Sequence, residues 1–187
     1  MCIRDSQFTA RFGESVNAAG DVNGDGFDDV IVGVPFHDNV EADEGRAYVY
    51  HGSASGLSAT PDWTVEPDQA GARFGLSVST SGDVNNDGFA DVIVGAPRYD
   101  AGENNEGRAF VSRGSGSGLA TSAIWTAEGN QIGANFGASV ATAGDVDGDG
   151  FADVIVGAFE YDAANAGAGL ASVYLGGAVA PAATPVW

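Results

Sequence analysis

The nine residues Asp145-Val-Asp-Gly-Asp-Gly-Phe-Ala-Asp153 put oxygen-bearing side chains at positions 1, 3, 5 and 9 and a glycine at position 6. That spacing suits a tight loop folded around a hard cation, and calcium, which takes about six to eight oxygen ligands, is the natural candidate. The stretch recurs from Asp21 to Asp29 and from Asp83 to Asp91, and its first residues, Asp21, Asp83 and Asp145, are 62 apart both times. The expected ligands are the carboxylates of Asp21, Asp25 and Asp29 with the Asn23 amide oxygen, and those of Asp83, Asp87 and Asp91 with Asn85. In the third copy they are Asp145, Asp147, Asp149 and Asp153. A backbone carbonyl at position 7, on Phe27, Phe89 and Phe151, completes each set with water. Gly26, Gly88 and Gly150 are expected in the left-handed conformation that such a turn needs. The expectation is about three Ca2+, one per repeat.

Asp, Asn and Gly dominate ordinary turns for reasons unrelated to metals. What separates these loops from ordinary turns is that all three keep oxygen at four positions while position 8 drifts from Asp28 to Ala90 and Ala152. Asp28 is therefore read as a solvated surface charge. A helix-loop-helix calcium hand is excluded, because it needs a bidentate Glu at position 12, where this chain has Val32, Val94 and Val156. Each loop is followed instead by Val-Ile-Val-Gly, ending at Gly33, Gly95 and Gly157, a β-branched run that favours a strand. The loops are thus expected in β-hairpins.

The formal charge of −19 places ten acidic side chains at the proposed ligand positions, so these carboxylates repel one another unless cations intervene. Only seven Lys and Arg are present, which argues against binding nucleic acid or anionic membranes by charge. No stretch approaches the ~20 apolar residues of a membrane span. The single Cys2 excludes an intrachain disulfide. Catalysis is not expected. His37 and His51 have no histidine equivalents in the other copies and no triad partners, and carboxylates repeated at metal-ligand spacing do not read as a glycosidase pair. The turns from Gly52 to Leu57 and from Gly114 to Leu119 are Gly-Ser rich, but no Lys follows to make a phosphate loop.

The elements that must hold the loops are short strands. The first is expected near Gly13 to Ala18, Gly75 to Thr80 and Gly137 to Thr142, and the second is the Val-Ile-Val run. The third is Arg46 to Tyr50, Arg108 to Ser112 and Leu170 to Tyr174, and the fourth begins at Trp63 and Trp125. Four strands per unit, with no helical period, predict an all-β chain: three four-stranded antiparallel blades of a partial β-propeller. A parallel β-helix has much shorter rungs. The repeats run at about 7–68, 69–130 and 131–187, the last one incomplete, with Trp187 falling where Trp63 and Trp125 stand. Residues 1–6 do not fit the repeat and are expected to be a non-native leader. Alternating strand direction puts the calcium loops and the Gly-Ser turns on one face. The connections Phe36 to Glu44, Arg98 to Glu106 and Glu160 to Ala168 fall on the opposite face, and they vary most among the copies.

Phe12-Gly13 with Gly33-Val-Pro35, Phe74-Gly75 with Gly95-Ala-Pro97, and Phe136-Gly137 with Gly157-Ala-Phe159 flank the loops. In this arrangement residues 7–187 resemble the FG-GAP repeat family, best known from the integrin alpha-chain propeller; Phe159 replaces a Pro in the third copy. The resemblance implies a seven-bladed ring of which this chain is a fragment, with apolar outer faces that the remaining blades cover. It implies an extracellular or cell-surface adhesion or ligand-recognition module with structural calcium and a protein or carbohydrate ligand. The alternatives are the non-catalytic propeller portion of a larger secreted hydrolase or lyase, and a scaffold without its own ligand.

Overall fold

The computed structural model describes residues 7–163 and 165–187. The segment expected to be a leader, residues 1–6, lies outside the described residues. Eleven strands follow one another: β1 (Ser15–Gly20), β2 (Asp29–Val34), β3 (Arg46–Tyr50), β4 (Trp63–Val65), β5 (Ser77–Gly82), β6 (Asp91–Ala96), β7 (Arg108–Ser112), β8 (Trp125–Glu128), β9 (Ser139–Gly144), β10 (Asp153–Ala158) and β11 (Leu170–Tyr174). They form three antiparallel sheets, each a meander in chain order: β1-β2-β3-β4, β5-β6-β7-β8 and β9-β10-β11. These are three blades of a β-propeller. In the third, Val173 N–H donates to the Trp187 carbonyl and Val186 N–H to the Val173 carbonyl, both at 2.8 Å, so the chain's last residues make the first rung of a fourth strand.

The first strand of each blade begins two residues later than the hydrophobic pattern indicates. Gly13, Gly75 and Gly137 take φ of +85°, +83° and +86°, so the chain turns at the Phe-Gly pair before it can extend. It then runs on through a bulge that ends at Gly20, Gly82 or Gly144 opposite Asp29, Asp91 or Asp153, and the nine-residue acidic loop starts there.

The core lies between consecutive blades. One cluster packs Val49 and Trp63 of the first blade against Phe74, Val78, Val92 and Val94 of the second. The other packs Ile93, Val111 and Trp125 against Phe136, Val154, Val156 and Tyr174. The middle blade is therefore covered on both sides, and every residue of β6 is buried, which is why its Val-Ile-Val run shows no polar alternation. On the outer faces the apolar side chains are open: Val16 is 63% exposed whereas its counterpart Val78 is 5% exposed. Indole groups tie the blades together, with Trp63 Nε1 donating to the Ala120 carbonyl at 3.0 Å and Trp125 Nε1 to Ala182 at 2.9 Å.

Candidate metal centres

Each nine-residue loop joins the first two strands of its blade and is folded by its own carboxylates. In the first, Asp21 Oδ1 accepts from the Gly24 and Asp25 N–H groups at 2.7 and 3.1 Å, and Oδ2 accepts from Gly26 at 2.8 Å. Asp25 Oδ1 accepts from Phe27 N–H at 3.0 Å. All four bonds recur from Asp145 and Asp149, and the last three, from the N–H groups of Asp87, Gly88 and Phe89, recur from Asp83 and Asp87. Burial opposes the charge on Asp21, but four backbone N–H groups outweigh it and hold the carboxyl below the usual range. Gly26, Gly88 and Gly150 have φ of +89°, +90° and +93°, as the turn requires. Position 4 is left-handed too, at Gly24, Asn86 and Gly148, and here Asn serves because it tolerates that region better than other side chains.

Asp145, Asp147 and Asp149 each offer an oxygen within 4.8 Å of the others and are exposed to solvent. In the first two loops an amide replaces the middle carboxylate. Asn23 Nδ2 and Asn85 Nδ2 turn toward Asp25 and Asp87, at 3.1 and 3.0 Å, leaving their oxygens on the other side. Asn23 Oδ1 accepts from Asp25 N–H at 3.0 Å, whereas Asn85 Oδ1 is buried with no hydrogen-bond partner among the described residues. A buried orphan oxygen flanked by carboxylates is what a hard cation satisfies, so the donor set fits calcium. The residues that would hold it are those at positions 1, 3 and 5, with the carbonyls of Phe27, Phe89 and Phe151 and the carboxylates at position 9. The ion would neutralise acidic groups that otherwise repel and would fix the loop.

Position 9 has a second task. Asp29, Asp91 and Asp153 are fully buried. Asp29 Oδ2 accepts from Val22 N–H at 2.9 Å and Oδ1 from Gly52 N–H at 2.8 Å, joining the loop to the turn after β3. Asp91 makes the equivalent bonds to Val84 and Gly114, and Asp153 to Val146 and Gly176. Desolvation raises the Asp29 carboxyl, and pushes Asp91 up to about 7, with the charges of Asp83 and Asp87 adding to the effect. At Asp29 and Asp91 the buried charge is thus one that the protein alone compensates poorly.

Gly52 and Gly114 are packing positions at the site and not plain turns. A β-carbon at Gly52 or Gly114 would stand 2.3 Å from the carbonyl oxygen of Asp28 or Ala90. Their recurrence at the 62-residue period was the signal available. Successive loops are also chained to one another: Ala90 N–H donates to the Asp21 carbonyl at 2.9 Å and Ala152 N–H to Asp83 at 3.0 Å. That contact explains the drift at position 8. The Ala90 and Ala152 methyl groups lie 2.6 Å from where Gly20 and Gly82 would carry a β-carbon, while Asp28 is exposed.

FG-GAP repeats match the chain at residues 12–50, 74–112 and 136–174. The chain belongs to the FG-GAP repeat family. The FG-GAP segments open on the Phe-Gly pairs and close with the third strand of each blade, so the nine-residue acidic loop is internal to every one. Among curated relatives, integrin alpha-4 of Xenopus laevis is 36% identical over 157 residues, covering 82% of this chain and 15% of that protein. Integrin alpha-5 of the same species is 35% identical over 165 residues, 83% of this chain and 15% of that protein. Integrin alpha-PS2 of Drosophila melanogaster is 37% identical over 175 residues, 86% of this chain and 12% of that protein. The chain therefore spans roughly a seventh of the length of these relatives.

Proposed function

We propose that this FG-GAP chain is a calcium-stabilised propeller segment of an extracellular adhesion or ligand-recognition protein, in which calcium is structural and a protein or carbohydrate binds elsewhere on the blades. The observation that carries the calcium reading is the Asn85 oxygen, buried and unpartnered between Asp83 and Asp87 in a loop whose fold is repeated twice more. The likeness to integrin alpha chains supports the adhesion reading. The described residues include no helix long and apolar enough to cross a membrane.

The role of calcium follows from the chaining of the loops. An ion bound in one loop rigidifies the Asp21 or Asp83 backbone on which the next blade hangs its Ala90 or Ala152 N–H. Binding to the folded chain alone raises stability by mass action, by about 2.7 kcal/mol per site at a hundredfold excess over Kd. Calorimetric titration of chelator-treated protein is expected to give about three calcium equivalents and a higher unfolding temperature, with magnesium a poor substitute because its small octahedral shell resists such a cage. Folded protein that takes up no calcium at millimolar concentration would overturn the reading.

A further inference from the structure

We propose that the first blade carries a transition-metal site, suited to zinc, formed by His37, Glu44 and Glu66 on the face opposite the calcium loops. One ligand atom from each of these side chains lies within 4.8 Å of the other two. Glu44 is fully buried; its Oε1 accepts from Asn39 N–H at 2.8 Å, but its Oε2 has no hydrogen-bond partner among the described residues. His37 is 8% exposed, and its backbone is pinned by bonds to Val34 and Gly45, both at 3.1 Å. Its ring stands edge-on to Tyr48, with centroids 6.5 Å apart. The site is therefore held by the blade and does not depend on loose side chains.

The second blade provides an internal comparison. There the equivalents are Tyr99, Glu106 and Glu128, with Asn130 where the first blade has Asp68. Glu106 Oε1 accepts three backbone N–H groups, from Ala101, Gly102 and Glu103 at 2.8, 2.6 and 3.0 Å, and Oε2 accepts a fourth from Asn130 at 3.1 Å. That carboxylate is satisfied by the protein. In the first blade most of those donors are gone, and a histidine stands where Tyr99 would be. Loss of donors to a buried carboxylate together with gain of a nitrogen ligand beside it is what a metal-binding version of the same position requires.

The charges point the same way. Glu44 faces Glu66 and Asp68, and the nearby cation among the described residues, Arg46, is engaged by Glu66 through Nε at 2.7 Å. Both Arg46 nitrogens fall on Glu66 Oε2, whereas Oε1 accepts from Asn39 Nδ2, at 2.6 Å, which leaves a lone pair on Oε1 for a metal. A buried carboxylate next to two others is stabilised by a cation and is costly without one. Imidazole selects zinc and other transition ions over calcium and magnesium, and three protein ligands leave the fourth tetrahedral position open. The third blade has Tyr161 and Ala168 at the corresponding positions and offers no such set.

The test uses the 187-residue chain with Cys2→Ser, so that the thiol cannot bind metal, first saturated with calcium. Titration with zinc is expected to show one equivalent bound, and cobalt is expected to give visible absorption that zinc abolishes. His37→Tyr, which installs the second blade's residue, and Glu44→Gln are each expected to weaken zinc binding at least a hundredfold while calcium uptake is kept. His51→Tyr is expected to change neither. The wild-type titration is decisive without any variant: folded protein that binds no zinc overturns the proposal. Zinc binding that survives both His37→Tyr and Glu44→Gln, or is lost in His51→Tyr, overturns it as well.

Discussion

The carbonyl oxygen of Gly75 lies 1.9 Å from the point where a β-carbon on Gly33 would sit. Gly33 opens the Gly-Val-Pro segment of the first blade, and Gly75 closes the Phe-Gly pair of the second, so the two halves of the repeat signature meet across a blade boundary. Ser15 Oγ donates to the same Gly75 carbonyl at 2.7 Å and fixes the approach. Gly95, Gly137 and Ser77 repeat the arrangement between the second and third blades, with the same 1.9 and 2.7 Å separations.

Gly33→Ala and Gly95→Ala should therefore force the blades apart. Each is expected to cost about 3 kcal/mol, the upper end of overpacking, because backbone is the obstacle. Gly157 has the same place in the third blade, but its β-carbon would meet only Ser139, whose Oγ at 2.3 Å can rotate away. Gly157→Ala is expected to cost about 1 kcal/mol. Urea denaturation of the three variants in calcium-saturating buffer measures this, and equal costs at all three positions would remove blade contact as the cause.

The metal loops should differ in affinity by their charge. Asp147 stands where the other loops have Asn23 and Asn85, giving the third loop one more carboxylate. Ligand charge tunes calcium affinity, so the third loop is expected to bind tightest and Asp147→Asn to weaken that one site by about tenfold. Calorimetry resolves this as a change in one of the binding steps, and an unchanged isotherm would count against the ranking.

Much of this was legible in the chain. Arg46 to Tyr50 is a strand to the residue, because its alternation reports a half-buried ladder. The conformation of the nine-residue loops was legible because their hydrogen bonding is local, with Asp21 folding residues no more than five positions away. The blade contacts were not legible. Nothing near Gly33 announces that Gly75 will arrive, since the two are brought together only when blades stack. The buried role of Asp29 was hidden for the same reason: its partner Gly52 lies 23 residues on, across the sheet. His37 looked isolated in sequence because Glu44 and Glu66 reach it only through the fold.

Glu106 gives a pH signature apart from the metals. Burial opposes its charge, but the four N–H groups outweigh this and hold its carboxyl below the usual 4.5. The folded state thus favours the ionised form, and the stability it brings is complete above about pH 4.5 and is lost as pH falls through the lower folded value. Glu106→Gln is expected to cost about 1.5–3 kcal/mol at neutral pH, the range for bonds to a charged group. The gap from wild type should narrow on acidification, as wild-type Glu106 takes up its proton. Denaturation curves at pH 7 and pH 4 check this, and a gap that widens in acid would refute it.

A partner is expected to dock at the tips of the connections after β2 and β6. The connections after β2 and β6 have fixed bases: Gln7 exchanges two hydrogen bonds with the Asp38 backbone at 2.7 and 2.8 Å, and Gln69 does the same with Asp100 at 2.8 and 2.7 Å. Glu44 and Glu106 bury the far ends. Between these anchors the tips differ in sequence and stand in solvent, with Val40 80% exposed. Beside them the Phe36 ring lies between the Arg11 and Arg73 guanidinium groups, 4.5 and 4.9 Å away, a basic spot on an acidic protein. The opposite face is occupied by the chained metal loops, where Ser115 N–H donates to the Val22 carbonyl at 3.0 Å and little is free to vary. Variable tips on a rigid base are where recognition is placed by preference. Replacing residues 39–43 and 101–105 with Gly-Ser segments, while leaving Asp38, Glu44, Asp100 and Glu106 in place, should preserve calcium uptake. Against arrays of glycans and extracellular proteins, any partner held by the wild-type chain is expected to bind at least about tenfold more weakly, a loss of roughly 1.4 kcal/mol. The control exchange, at Ser53 to Ser55 in the turn beside the first metal loop, should leave it unchanged. Binding that survives the first exchange and fails in the second would move the recognition site to the metal-loop face.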